Sequence, residues 1–292
     1  MKGIEQLLRQ RIGLDAGTLG PSVLERIVRL RTHALKLDHV DDYRALLATS
    51  SAEWEMFVES VVVAETWFFR DRQPFLELAR LAHVPSLPSP LRLLSVPCAS
   101  GEEPYSMVMA LLDAGLPPER FRVDAMDISS HALALARRAS YGRNSFRGDN
   151  LDFRERHFRA VKDRYVLNAA VRERVRFVRG NILEAGTLAG EAPYDFIFCR
   201  NLLIYFDRAA QRRALNQLGR WLSERGYLFV GPAEMPLAVK HGFVSANLPM
   251  AFACRKASPV RSLPTTAARC SPAPSTTAAK LRARPAIPAP AH

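Results

Sequence analysis

Glu102 and Glu103 sit where a nucleotide-binding turn would be, and two carboxylates there ask for unusual chemistry. They follow an apolar run, Leu91 to Val96, and a tight turn, Cys98-Ala99-Ser100-Gly101, within LRLLSVPCASGEEPYSMVMALL. The run reads as a buried parallel strand, and an amphipathic helix opens near Pro104, where proline suits a first turn. Strand, glycine turn and helix begin a nucleotide-binding α/β unit. Such turns ordinarily offer N–H groups to a pyrophosphate, which two carboxylates would repel. The turn therefore expects a nucleotide-like ligand without phosphates and with positive charge. Asp127, about 25 residues beyond the glycine turn, ends the apolar stretch FRVDAMD. A carboxylate there binds ribose hydroxyls in this kind of fold. It also precedes a helix, so an N-cap role is equally open, as it is for Ser129 or Ser130. S-adenosylmethionine meets both demands, with adenine and ribose, no phosphate, and a sulfonium and an ammonium cation. Neither G-x-G-x-x-G nor a P-loop pattern occurs here.

Positioning these residues requires alternating strands and helices. Strands are expected at 121–127, 174–181, 194–200, 226–231 and 252–256, with helices at HALALARRA and RAAQRRALNQLGRWL. That alternation predicts a mainly parallel sheet covered on both faces. An excursion from Tyr141 to Ala170, rich in Arg and Phe, is too long for an ordinary connection and predicts a small inserted substructure. Residues 1–85 read as helices, with Val23, Ile27, Leu30 and Ala34 at helical spacing, and likewise Trp54, Phe57 and Val61. Another helix opens at Pro74, and the proline-rich VPSLPSP marks a boundary before 91–256. Residues 257–292, with seven prolines, ten alanines and no aromatic, form no core and are expected to be a disordered tail or linker.

The net charge of +12 is uneven. Residues 137–179 hold 13 Lys/Arg against 5 Asp/Glu. Such a block suits nucleic acid, an anionic membrane or an acidic protein partner, or is a solvated surface. The four cysteines, Cys98, Cys199, Cys254 and Cys270, form no C-x-x-C pair, which argues against a disulfide framework or a metal site. No apolar run approaches 18 residues and no secretory leader is visible, so a cytoplasmic protein without membrane insertion is expected.

GEEPYSMVMALL, AETWFFRD, AMDIS and FCRNLLIYFD, in this order, resemble the CheR family of chemoreceptor glutamate methyltransferases over residues 1 to about 256. RIGLDAGTLG, VVVAETWFFR and YGRNSFRGD place the chain nearest to a branch tied to surface sensing and biofilm formation. The resemblance implies a class I S-adenosylmethionine-dependent methyltransferase fold, Rossmann-like, mostly parallel with an antiparallel last strand. A small all-helical domain precedes it, and a small β-subdomain is inserted at about 141–172. It implies a protein-glutamate O-methyltransferase using S-adenosylmethionine and releasing S-adenosylhomocysteine. Thr66, Arg70, Glu102, Glu103 (the favoured one of the pair), Asp127, Asn181, Ile182, Arg200 and Asn201 would contact the cofactor. Tyr205, near the transferable methyl, and Arg70 would be the catalytic residues. Thr66 and Arg70, four apart, share one face if their stretch is helical. Ala64 replaces the Asn usual in the family.

The implied partner is the cytoplasmic domain of a methyl-accepting receptor, whose acidic helices the basic 137–179 region would steer to a monomeric enzyme. Members that grip a receptor's C-terminal tether have a glycine-bearing loop in the insert. HFRAVKDRYVLNAAVR has none, so tether-independent action is expected. The branch typically continues into tetratricopeptide repeats, whereas this chain stops in the linker-like stretch. Two other readings remain: a non-catalytic cofactor-binding docking sensor, and a nucleic-acid methyltransferase. The latter calls for an Asp/Asn-Pro-Pro-aromatic motif where Arg200-Asn201-Leu202-Leu203 stands.

Overall fold

The computed structural model describes residues 1–85 and 87–257; the expected tail and Cys270 lie outside the described residues. The fully buried Tyr194–Cys199 segment, apolar except for Asp195, forms the centre of a seven-stranded sheet. Burial on both faces is what a central parallel strand requires. The strands are β1 (Leu91–Ser95), β2 (Phe121–Asp127), β3 (Ser140–Tyr141), β4 (Phe158–Val161), β5 (Arg164–Leu167), β6 (Val175–Arg179), β7 (Tyr194–Cys199), β8 (Leu222–Val230), β9 (Phe243–Ser245) and β10 (Ala253–Lys256). The main sheet runs β6-β2-β1-β7-β8-β10-β9. The first five in that order pair in parallel, and β10 is antiparallel to both β8 and β9. This is the fold of class I S-adenosylmethionine-dependent methyltransferases. The sequence reading missed β9, whose three residues are too few to show alternation.

The helices are α1 (Lys2–Ile12), α2 (Ala16–Leu19), α3 (Pro21–Ala34), α4 (Val40–Thr49), α5 (Ser51–Val61), α6 (Gln73–Leu81), α7 (Glu102–Asp113), α8 (Ser130–Arg138), α9 (Asp152–His157), α10 (Ala169–Arg172), α11 (Arg208–Trp221) and α12 (Met235–Lys240). In α5, Phe57 and Val61 are buried as their spacing predicts. The face expected for α3 is corrected. Leu24, Ile27 and Val28 face the core, while Val23 is 37% and Leu30 61% exposed. Arg31 decides between the two overlapping stripes. It lies one turn beyond Ile27 and Val28 and grips the Glu53 carboxylate through two guanidinium nitrogens at 2.9 and 2.5 Å. Glu53 also accepts the Tyr43 hydroxyl at 2.8 Å, so one buried carboxylate ties α3, α4 and α5 together.

The excursion forms a separate antiparallel sheet, β3-β5-β4, with α9 beside it. Phe146, Phe153 and Phe158 make its core together with Tyr141. Phe68, from the loop after α5, enters this cluster 4.8 Å from Tyr141 and 5.0 Å from Phe158, centroid to centroid.

Candidate functional site

The turn after β1 is shaped by Gly101, whose φ of 95° suits glycine. A Cβ there would stand 2.9 Å from Ala136 Cβ and 3.0 Å from the Tyr141 hydroxyl. α7 begins at Glu102, so both glutamates lie in a first turn, where the helix dipole favours negative charge. Their side chains diverge. Glu102, 2% exposed, accepts hydroxyls from Ser100 at 2.7 Å and from Ser145 of the insert at 2.8 Å. Glu103 accepts the Ser95 hydroxyl at 2.8 Å and meets Arg200 Nη1 at 3.3 Å. Burial pushes both carboxyls up, opposed at Glu102 by the two serines and at Glu103 chiefly by the Arg200 charge.

A raised carboxyl favours folding below its unfolded value, and that contribution is lost as pH climbs through the folded value. Glu102→Gln is therefore expected to gain Tm over the wild type as pH rises above the ordinary carboxyl value of 4.5. Thermal melts across that window check this; an unchanged Tm difference from pH 4 to pH 8 would refute it.

Asp127 is not the N-cap of α8. Ser129 holds that place, accepting the Ala132 N–H. Asp127 instead closes the turn, accepting the Ala99 N–H at 2.8 Å and the Ser129 N–H at 2.9 Å. Ala99 has a φ of 44°, a left-handed conformation its Cβ disfavours, so the carboxylate holds a strained peptide in place. Burial raises the Asp127 carboxyl, with those N–H groups opposing.

The stretch carrying Thr66 and Arg70 is not helical, which corrects the expectation of a shared face. α5 ends at Val61 and α6 begins at Gln73. Between them Phe69 and Asp71 have φ of 54° and 50°. Phe68 packs into the insert, while Phe69 meets Phe75 edge-on and Phe153 at a tilt, so successive aromatics anchor in different places. Tertiary packing thus overrides helical spacing. Thr66 is half-buried in this loop. Arg70 Nη1 donates to the Glu65 carbonyl at 2.9 Å, and its guanidinium lies 4.5 Å from the Trp67 ring centroid.

Arg200, 5% exposed, follows β7 and bonds Asp71 at 2.6 Å besides Glu103. Its Nε is buried and has no hydrogen-bond partner among the described residues. Asn201 takes a φ of 57°. Glu234, a residue that sequence reading passed over, fixes this loop. It is fully buried and accepts backbone N–H groups from Asn201, Leu202 and Leu203 at 2.7 to 2.9 Å, and from Gly231 at 2.6 Å. The Gly-Pro-Ala-Glu order, in which a glutamate three residues on can reach back to the N-cap N–H, was the available signal. Beyond it, Tyr205 O accepts the Asp15 N–H at 2.8 Å, and Asp207 N–H donates to Gly13 at 3.1 Å, which zips the first helices to the end of β7.

These segments form a cleft, open to solvent, between the α1–α5 layer and the carboxyl ends of the strands. Open α/β sheets place ligands there. Asp127, Asn181, Ile182, Asn201 and Tyr205 lie on one wall system with Ala64, Ala99 and Ile128. Asn181 donates to the Arg11 carbonyl at 2.8 Å and accepts the Leu183 N–H, so its amide shapes the wall. Thr66, Arg70, Glu102, Glu103 and Arg200 are not on this wall, although their chain neighbours Ala64, Ala99 and Asn201 are. Arg200 and Glu103 form a charged end instead, where Arg70 also opposes the burial of Glu103.

This donor set fits S-adenosylmethionine. An apolar slot with a carboxylate at one side suits adenosine. The charged end, with an unpartnered Arg200 Nε and a buried carboxylate, suits an amino acid moiety. Among the described residues, no group of three His, Cys, Asp or Glu could hold a metal ion. No helix there is long and apolar enough to cross a membrane.

Residues 64–251 match the family model described as CheR methyltransferase, SAM binding domain. The chain is 52% identical over 258 residues to the "Probable biofilm formation methyltransferase WspC" of Pseudomonas aeruginosa, covering 87% of this chain and 61% of that one. The Pseudomonas putida protein of the same name is 46% identical over 252 residues, covering 85% and 59%. The "Chemotaxis protein methyltransferase" of Salmonella typhimurium is 34% identical over 237 residues, covering 78% and 81%. The chain thus spans about three fifths of the two WspC relatives. With this match and this cleft, the chain belongs to the CheR methyltransferase family and its cofactor is S-adenosylmethionine.

Proposed function

We propose that the protein transfers a methyl group from S-adenosylmethionine to glutamate side chains of a methyl-accepting receptor. The setting would be Wsp-type signalling that controls biofilm formation. The observation that carries this is the make-up of the cleft wall: carboxylate, amides, a tyrosine and apolar groups, with no histidine or cysteine. A carboxylate acceptor needs no base, because glutamate, with a reference pKa of about 4.3, is already ionised at neutral pH. The relatives named for chemotaxis and biofilm formation support the same reading.

When bound, the cofactor supplies a methyl group on a sulfonium, which an acceptor carboxylate takes as a methyl ester, leaving S-adenosylhomocysteine. Asp127 would hold the ribose hydroxyls. Asn181 and Ile182 would border the adenine, Arg200, Glu103, Thr66 and Asn201 would set the amino acid end, and Glu102 would brace the turn from behind through Ser100 and Ser145. Tyr205, with Arg70, would orient the acceptor. Alignment of this kind supplies up to roughly 7–11 kcal/mol.

The basic 137–179 region would meet the acidic receptor helices, but part of its charge is spent internally. Arg156 pairs with Asp113, Arg176 with Asp124 and Glu191, and Arg179 with Glu55. Arg138, Arg143, Arg159 and Lys162 are exposed with no ion pair among the described residues, and these would steer the partner. A docking sensor is the second reading, favoured by Ala64 on the cleft wall where the resemblance has Asn.

The test mixes protein, methyl-labelled cofactor and a receptor cytoplasmic fragment, then treats the product with mild base. Label released as methanol is expected. Base-stable label would defeat carboxyl transfer, and cofactor binding without transfer would favour the sensor.

A further inference from the structure

The insert and the loop after α5 meet at Trp67. The Arg147 guanidinium, from the insert, lies 4.5 Å from the Trp67 ring centroid, the same distance as Arg70. Arg147 Nε donates to the Asn144 carbonyl at 3.2 Å, which fixes the fork. Its Nη1 donates to the Glu65 carboxylate at 2.8 Å. The two segments are further stitched by Phe68 N–H to the Ser145 carbonyl at 2.9 Å. Arg147 is thus an arginine laid on an aromatic face, held from behind, with one face of its fork on a carboxylate. That is a preorganised carboxylate receptor.

Its present occupant is weakly held. The Glu65 and Arg147 side chains are 57% and 45% exposed, and exposed pairs of this kind contribute little because water screens them. An incoming carboxylate can therefore displace Glu65 at little cost. The site is also linked to the reaction end of the cleft. Arg70, on the same indole, helps hold the Glu65 carboxyl low and also acts on Glu103.

We propose that Arg147, seated on Trp67, is a specificity-determining residue that binds a second carboxylate of the acceptor beside the one being methylated, with Glu65 occupying that position in the free protein. This rests on the carboxyl-transfer reading above for the identity of the acceptor. A mere loop-fastening pair would be indifferent to the charge of the acceptor's neighbouring residues.

The experiment compares two receptor cytoplasmic fragments, one with Glu beside the acceptor glutamates and one with those neighbours changed to Gln. KM and kcat for methyl transfer, and the Kd of each fragment, are measured for the wild type, Arg147→Gln, Arg147→Lys and Glu65→Gln. Arg147→Gln is expected to raise KM and Kd about fivefold for the Glu-flanked fragment only, as loss of a modest charge pair would. Arg147→Lys should recover part of that, and Glu65→Gln should lower both constants about twofold. The kcat should move less than KM. Equal shifts for both fragments, or none, would overturn the proposal. If the wild type methylates neither fragment, the transfer reading fails, and the Kd values alone decide. A wild-type preference for flanking Glu that Arg147→Gln removes sustains the carboxylate site, and its absence refutes it.

Discussion

Asp127→Ala is expected to weaken S-adenosylmethionine binding by at least about 100-fold, close to 2.7 kcal/mol. Two effects add. The carboxylate that would hold the ribose is lost, and hydrogen bonds to a charged group are each worth about 1.5–3 kcal/mol. The Ala99 and Ser129 N–H groups also lose their acceptor, and Ala99 loses what holds it at a φ of 44°. The turn that precedes Glu102 and Glu103 should then relax away from its binding shape. Asp127→Asn should retain more affinity, since its amide oxygen still accepts one N–H, while its NH₂ faces the other donor. Calorimetric titration with S-adenosylhomocysteine, with a thermal melt to confirm folding, measures both. An alanine variant that binds within threefold of the wild type would remove Asp127 from the cofactor site.

Glu234→Ala should be the most damaging single change to stability among the residues discussed. The side chain is wholly buried and accepts four backbone N–H groups from two separate loops. Truncation leaves four donors without partners, and breaking a buried charged cluster costs about 3–5 kcal/mol. At roughly 2–4 °C per kcal/mol for a chain of this size, Tm should fall by about 10 °C. The loop from Asn201 to Tyr205 depends on these bonds, so cofactor affinity should fall as well, even well below the new Tm. Glu234→Gln should cost less, because an amide oxygen can replace part of the acceptor. A Tm change under 2 °C for the alanine variant would mean that the loop is held by other contacts.

Chain-local signals made much of this molecule legible. The strand, turn and helix at residues 91–112 announce themselves through an apolar run, a glycine and an apolar helical face, all within one short segment. β7 is legible because all but Asp195 of its six residues are aromatic or apolar. The misreadings have a common cause. In α3 two apolar stripes overlap, and Arg31, reaching Glu53 22 residues away, selects the one that faces inward. In 62–72 the spacing of Thr66 and Arg70 suits a helix, but Phe68 and Phe69 are claimed by aromatic clusters that form only once the insert has folded. Glu234 was passed over, since three of its four partners lie 31 to 33 residues back in the chain.

By itself the sequence determined the alternation of strands and helices, the choice of a cationic nucleoside over a phosphate ligand, and the family motifs. These follow from residue types at short spacing, where backbone geometry leaves few alternatives. Only the tertiary structure decided that Glu102 turns toward the insert while Glu103 turns toward Arg200. Only it decided that Asp127 closes the turn rather than capping α8, and that Glu65 rests on Arg147. The reason is that a side chain's partner across 28 to 97 residues is fixed by sheet order and packing, which no local pattern encodes.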